Sequence, residues 1–494
     1  MKTLLLSLTL SLAALPVFVP TNGLAADDLP PPRAADLDTA DDLPPPRAST
    51  RKPRAVPATV ATDAANVETA AAPLEPAADL PPPTAKKASA RGFQPTLKYG
   101  VDDLLLELGA LPDATEADTY STLRAKAYVL WQPSRDWEFR AGARVDGAMQ
   151  NGGVADFNDL SADYTDTYVR YRSGDTRLTL GAQTIVWGRV DEIPLADRVS
   201  RADLTRFVLD DLPDRRRAEL AARWEQTIGD YKLDAVWLPL FKAAELPDAS
   251  SVWSPINLTT GEIIGIAPSP AVAALVHAAT ISEDEHGSGG GGVRLTKTGE
   301  PFDFGITLAR TRQSQPYYLI GGTPAAPTLT GIHPFNNFAG ADMEMERNGI
   351  TWRMELGYTD EVPVTLPTAA TISVPSLDWV GGIEFFPGGK NTRINLQLVA
   401  QALQTDASIL QLTEYYGANG EIETSFDQGR WTAGLRFFGG FNVQNLYLNP
   451  EISYVGWEPF AVYAGYHYFN GEDRTLAGFQ EDHSMAVLGI RGQF

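Results

Sequence analysis

Met485-Ala-Val-Leu-Gly-Ile-Arg-Gly-Gln-Phe494, the last ten residues, decide how this chain is read. Side chains alternate across an extended strand, so Ala486, Leu488, Ile490 and Phe494 share one face, with Gly492 between the last two. Val487, Gly489, Arg491 and Gln493 take the other face. A strand greasy on one side only, with charge on the other, needs an apolar medium outside and a polar one inside. Leu488, Ile490 and Phe494 are therefore expected to face apolar surroundings, and Arg491 and Gln493 a polar interior.

The same period-2 grain runs from Thr96 to Phe494. It is clearest over 123–131, 137–145, 167–171, 178–186, 218–224, 231–237, 302–308, 352–358, 394–399 and 460–468. Short connections with tight-turn chemistry (Gln132 to Asp136, Ser173-Gly-Asp175, Ile228-Gly-Asp230, Pro387-Gly-Gly-Lys390) alternate with long ones at about 188–214, 241–288, 312–338, 360–375 and 404–426. Short turns at one end and long loops at the other predict a closed antiparallel transmembrane β-barrel over 94–494. About 17 strands can be counted. A barrel with both ends on one side needs an even number, and about 25 residues per strand suggests 16, within 14 to 18. The miscount is expected between 390 and 445. No fixed-length repeat of a propeller or solenoid is present in this region.

The N-terminal part has a different composition. Met1-Lys2 followed by the mostly apolar Leu4–Val19 reads as a signal peptide, with Gly23-Leu24-Ala25 ahead of a cleavage point before Ala26. Residues 26–93 repeat Asp-Leu-Pro-Pro-Pro at 28–32, 42–46 and 79–83 within Ala, Thr, Arg and Lys. Such a segment buries too little apolar area to fold, and reads as a disordered periplasmic tail reaching up to about 200 Å in polyproline II. A passive spacer and a contact with peptidoglycan or a periplasmic protein are both open readings.

Net charge is −22, and the chain contains no cysteine. Thiol metal sites, disulfides and cysteine nucleophiles are excluded. The acidity argues against a nucleic-acid partner. Mean hydropathy is −0.17, compatible with a barrel in which every second residue is polar. After the signal peptide no run approaches the 18 apolar residues of a spanning helix.

If alternation sets the faces, the early strands line their interior with Arg124, Lys126, Tyr128, Glu138, Arg140, Arg144, Asp146, Arg170, Arg172, Arg177, Glu219, Arg223 and Glu225. Charge facing lipid would cost about 2–4 kcal/mol at mid-membrane, which enforces the inward assignment. Later strands place Asp342, Glu344, Glu346, Arg353 and Glu355 inside. Opposed basic and acidic walls would polarise a channel and attract carboxylate or phosphate solutes. Alternatively, the charges pair across strands and fill the interior. Nine tryptophans (131, 137, 187, 224, 237, 352, 379, 431 and 457) fall mostly at strand ends, as an interfacial girdle requires. A sugar-stacking slide would instead need aromatics on the inner face, such as Tyr128, Tyr463 or Phe469.

Gly181-Ala-Gln-Thr-Ile-Val-Trp-Gly-Arg189 ends a strand and leads through Asp191, Asp197, Arg201 and Asp203 to Asp210-Asp-Leu-Pro-Asp-Arg-Arg-Arg217. This arrangement resembles bacterial outer-membrane porin-like barrels, of the alginate-export and phosphate-selective porin-like superfamily, over some 60 residues. The terminal aromatic matches the signal that barrel-assembly machinery reads in such proteins. The resemblance implies a cell outer membrane location among lipid and lipopolysaccharide, following secretion across the inner membrane. The charged loop either folds inward as a constriction or stays on the surface. Its constriction candidates are Asp191, Asp197, Arg201, Arg206, Arg215, Arg216 and Arg217, with a short helix expected over Ala202–Leu209. A divalent cation on its carboxylates is a lesser option. Loop 241–288 carries apolar patches at 263–266 and 271–276 that suit a plug helix or a packed surface loop.

The five histidines (His277, His286, His333, His467 and His483) show neither catalytic-triad nor zinc spacing. No enzyme, resident metal or cofactor is expected. The expected function is a passive channel for small hydrophilic solutes, anions among them. Two other readings stay open: a dedicated exporter or importer of a polymer or hydrophobic compound, and a tether between outer membrane and cell wall.

Overall fold

The computed structural model describes residues 93–494 apart from 324, 390 and 493, and of the preceding residues only Leu10–Ser11. The Pro-rich tail, and the proposed signal peptide apart from those two residues, thus lie outside the described residues. From Thr96 onward the chain is a closed antiparallel barrel. Its strands are β1 Thr96–Ala110, β2 Thr119–Gln132, β3 Trp137–Asn151, β4 in two halves (Phe157–Tyr164 and Thr167–Ser173), β5 Thr176–Gln183 and β6 Glu219–Ile228. They continue with β7 Tyr231–Leu238, β8 Gly290–Lys297, β9 Asp303–Arg312, β10 Phe335–Arg347, β11 Ile350–Thr365 and β12 Thr371–Phe385. The circuit ends with β13 Thr392–Leu403, β14 Glu414–Phe426, β15 Trp431–Gly440, β16 Asn445–Trp457, β17 Phe460–Gly471 and β18 Met485–Gly492. Both halves of β4 pair with β3, so they count once and the barrel has 18 strands.

Eighteen corrects the expected 16. The strand missing from the sequence reading is β14, which falls inside the expected 404–426 loop. Its outward residues include Ala418 and Gly420, too small to raise a period-2 signal, yet eleven residue pairs hold it against β13. The expected 360–375 loop likewise shrinks to residues 366–370, because β11 and β12 pair up to Thr365 and Thr371. Within the expected 312–338 loop, Tyr317–Thr323 and Ala326–Ile332 form a separate hairpin before β10 begins.

Closure occurs where the terminal strand requires it. Leu104 to Ala110 of β1 pair with Gly492 to Ala486 of β18. Leu488 and Phe494 are exposed on the outside, while Arg491 reaches Glu451 at 3.5 Å on the inside. An even strand number returns the chain to the rim from which β1 starts, the rim of the short turns. Two of these, at 174–175 and 229–230, hold only two residues, and Gly174 (φ 55°) and Gly229 (φ 60°) supply the positive φ that such hairpins demand. The opposite rim carries every long connection, above all 184–218 and 239–289.

The outward residues form an apolar belt, including Leu106, Leu123, Val145, Leu180, Leu308, Leu356 and Leu398. A closed barrel satisfies its own backbone, so this belt suits a lipid bilayer. Aromatics crowd the short-turn rim: Trp131 on Phe139, Trp137 on Tyr171, Trp431 on Tyr454 and Phe460 on Phe494. Trp187 departs from the expected girdle. It is buried inside the barrel, its indole N–H donating to Asp234 at 3.0 Å.

Candidate functional site: a loop-filled lumen

The 184–218 loop folds into the barrel rather than over it. Instead of the expected helix at Ala202–Leu209 it makes two short 3₁₀ turns, Phe207–Leu209 and Leu212–Arg215. Arg201-Ala202 pairs with Arg216-Arg217 and closes the loop into a hairpin-like tongue. Asp203 and Arg206, within the expected helix, are drawn to partners on the wall, and the segment follows those ties instead of winding continuously.

Those partners lie around the circumference. On the early strands, Arg124 holds Asp210 and Asp214, Lys126 holds Asp214 (2.6 Å), and Arg144 holds Asp203 (2.6 Å). On β1, Glu107 accepts from Arg206. Across the lumen, Asp191 accepts from Arg353 (2.7 Å) and Asn395 (2.6 Å), and Arg189 donates to Asp342. Glu355 on β11 accepts the backbone N–H groups of Arg189, Val190 and Ala196. Arg436 on β15 donates to Asp211. Charges taken out of water need such pairing, and removal of one partner costs far more than the pair contributes.

All ten proposed wall residues face inward, and each has a counter-charge. Besides the contacts above, Arg124 and Arg144 also meet Asp146, Arg140 meets Asp102, and Arg170 and Arg172 share Glu138. Arg177 pairs with Glu225, and Arg223 with Asp234. The proposed loop residues divide into two groups. Asp191, Arg201, Arg206 and Arg217 reach the wall, Arg201 and Arg217 both meeting Asp163. Asp197 and Arg216 pair with each other, and Arg215 caps the loop's own carbonyls of Val208 and Asp210, so these three shape the tongue. The carboxylates considered for a divalent cation are thus occupied by arginines, and no group of three or more metal-binding side chains occurs among the described residues.

Glu107, Asp234, Arg393 and Arg436 escaped the sequence reading. Glu107 was legible, lying between the outward Leu106 and Leu108. Nothing local marks the others as loop partners. Beside the tongue lies a small, largely enclosed polar cavity lined chiefly by Glu107, Asp211, Glu421, Arg436, Glu451 and Arg491.

Loop 239–289 covers the mouth above. Its helix Pro270–Ala278 starts at Ser269, whose hydroxyl accepts from the Val272 N–H. Trp253 is fully buried, with its ring 6.1 Å from both Tyr120 and Phe469. Phe469 and Tyr463 therefore serve packing, Tyr463 also donating to Glu107 at 2.6 Å; Tyr128 lies under Arg140. Nearby, Glu116 accepts from Asn257 (2.7 Å) and from His483 (3.4 Å). The His483 hydrogen bond, outweighing burial, holds the Glu116 carboxyl down at about 2.

This is the architecture of a closed antiparallel β-barrel of 18 strands whose lumen is occupied by an inward-folded loop. Scans against protein-family models and against curated proteins find no match. Solved structures do align. Acinetobacter baumannii OccAB1 matches at 9% identity, covering 82% of this chain and 98% of that one, with a TM-score of 0.48. An anion-selective porin from Comamonas acidovorans matches at 9% identity, covering 81% and 100%, with a TM-score of 0.36. A mutant of the Rh. blastica porin gives 9%, 81%, 100% and 0.34 in the same order. At these values the likeness adds nothing to what the barrel's own geometry shows.

Proposed function

We propose that the protein is a non-enzymatic channel of the bacterial outer membrane, passing small hydrophilic solutes by diffusion along the polar side of the 184–218 tongue. The observation that carries this reading is the tongue itself. It spans a closed barrel and is tied to opposite walls, and the small cavity beside it is lined mainly by carboxylates and guanidiniums rather than by apolar side chains. Acid and base are mixed there (Asp211 with Arg436, Glu451 with Arg491), an arrangement that suits polar solutes of either sign.

Planar-bilayer recording tests the reading. The full chain should give reproducible single-channel steps, and Arg491→Glu should shift the reversal potential toward cations. Absence of steps from a folded barrel would refute a diffusion channel. The covered mouth favours a second reading, a gated exporter or importer of a larger compound. In that case conductance appears only after loop 239–289 is deleted. A periplasmic partner or peptidoglycan contact would be the task of residues 26–93.

A further inference from the structure

Nearly all the arginines discussed above are inward and matched to carboxylates. Arg310 is not. It lies on the outward face of β9, two rows above Ile306 and one above Leu308, near the long-loop rim. It makes no ion pair among the described residues, and its one side-chain hydrogen bond goes to Asn337 Oδ1 at 3.1 Å. Its guanidinium lies 5.4 Å from the Phe335 ring, and the Arg312 guanidinium lies 4.5 Å from the same ring. Arg312 donates to the carbonyls of Ser288 and His333, again with no carboxylate.

The strand register sets what stands beside them. Trp237 of β7 pairs with Gly291 of β8, which pairs with Arg310 of β9. All three belong to the outward row. Gly291 offers no side chain, so a notch one strand wide separates an indole that is 61% exposed from an unpaired guanidinium. Two strand spacings put them about 10 Å apart. The row beneath consists of Ala235, Val293, Leu308, Ala339 and Tyr358, and suits acyl chains. Of the nearby acids, Asp360 accepts twice from Asn337, and Asp284 accepts from His286 while lying within the field of Arg312, so Arg310 is the guanidinium left without a carboxylate.

We propose that this notch binds the headgroup of a phosphorylated glycolipid in the outer leaflet, with a sugar ring on Trp237 and a phosphate on Arg310 and Arg312. An unpaired guanidinium at the lipid boundary gains most from a phosphate, which accepts two parallel N–H bonds. Indole faces stack on the apolar faces of sugars, and Phe335 holds the guanidiniums in place beneath. The proposal rests on the reading that the long-loop rim faces outside the cell.

Native mass spectrometry of the full chain in detergent tests it, with bis-phosphorylated lipid A, its dephosphorylated form and phosphatidylglycerol as probes. The phosphorylated glycolipid should bind at least fivefold tighter than either of the others. Arg310→Gln should abolish that preference, and Trp237→Ala should weaken both glycolipids alike. Equal binding of all three probes, or an Arg310→Gln protein indistinguishable from the wild type, overturns the proposal. Arg310 and Trp237 lie on the outer surface, so bilayer steps recorded from the same preparations should persist. Binding without conductance sinks the channel reading alone, and conductance without selective binding sinks this one alone.

Discussion

Two long loops enter the same barrel from the same rim and differ in how much charge accompanies the apolar packing that holds them there. The 184–218 tongue is tied by ion pairs and amide donors to strands all round the lumen, as at Asp203, Asp191 and Glu355. Loop 239–289 places Val252, Trp253, Ile256, Ile263, Ile264 and Ile266 into a core shared with Tyr120, Tyr447 and Phe469 of the wall. The tongue also buries Ile185, Trp187, Val190, Val199, Val208 and Leu209, so its ion pairs fix a register on top of apolar packing. The covering loop relies mainly on packing of the kind a domain core uses. Position in the barrel therefore sets how much charge each loop adds to its contacts.

The comparison can be broken first at Asp203, which sits between Arg144 (2.6 Å) and Arg217 (3.0 Å) at 1% side-chain exposure. Asp203→Ala takes one carboxylate from each of two buried guanidiniums, which keep Asp146 and, for Arg217, Asp163, and should cost about 2–3 kcal/mol. Thermal unfolding in detergent should register that loss, and single-channel conductance should rise as the tongue loosens. An unchanged conductance would mean that the tongue does not set the opening. Trp253→Ala attacks the other loop. Loss of a fully buried indole should cost about 3 kcal/mol and expose 239–289 to limited proteolysis, while conductance steps keep their size.

A smaller effect is expected at the junction between the covering loop and its neighbours. Glu116 is held at about 2, below its ordinary value of 4.5, so its contribution is complete above that ordinary value and is lost as pH falls through 2. Acidification across this window should release loop 239–289 to protease, and Glu116→Gln should flatten the dependence. A wild-type protease profile identical at both ends of the window would refute the assignment. Least of all should follow from Arg430→Ala. Its pair with Asp427 lies on an exposed turn, and the unfolding midpoint should not move measurably.

Alternation made the faces legible. Wherever large apolar side chains recur at every second position, as in Leu123 to Trp131 or Trp352 to Tyr358, the barrel puts them outside and their neighbours inside. Where the outward residues shrink to Ala418 and Gly420, the same rule lost a strand. The strand is held by backbone pairing, which carries no sequence signature of its own. Trp187 was misplaced for a related reason. An indole at a strand end reads as a girdle residue unless one knows that the chain next turns inward and brings it to Asp234.

The sequence by itself determined that the chain forms a barrel, which side of each strongly patterned strand faces lipid, and that the 184–218 segment is charged enough to line water. Those properties are local: they follow from residue type at a spacing of two and from the cost of charge in hydrocarbon. Only the tertiary structure decided the number of strands, the closure of β18 on β1, and the partners of the tongue. Asp191 meets Arg353 across 162 positions, and Arg436 meets Asp211 across 225. Pairings at such separations depend on barrel circumference and register, which are fixed once all the strands have closed.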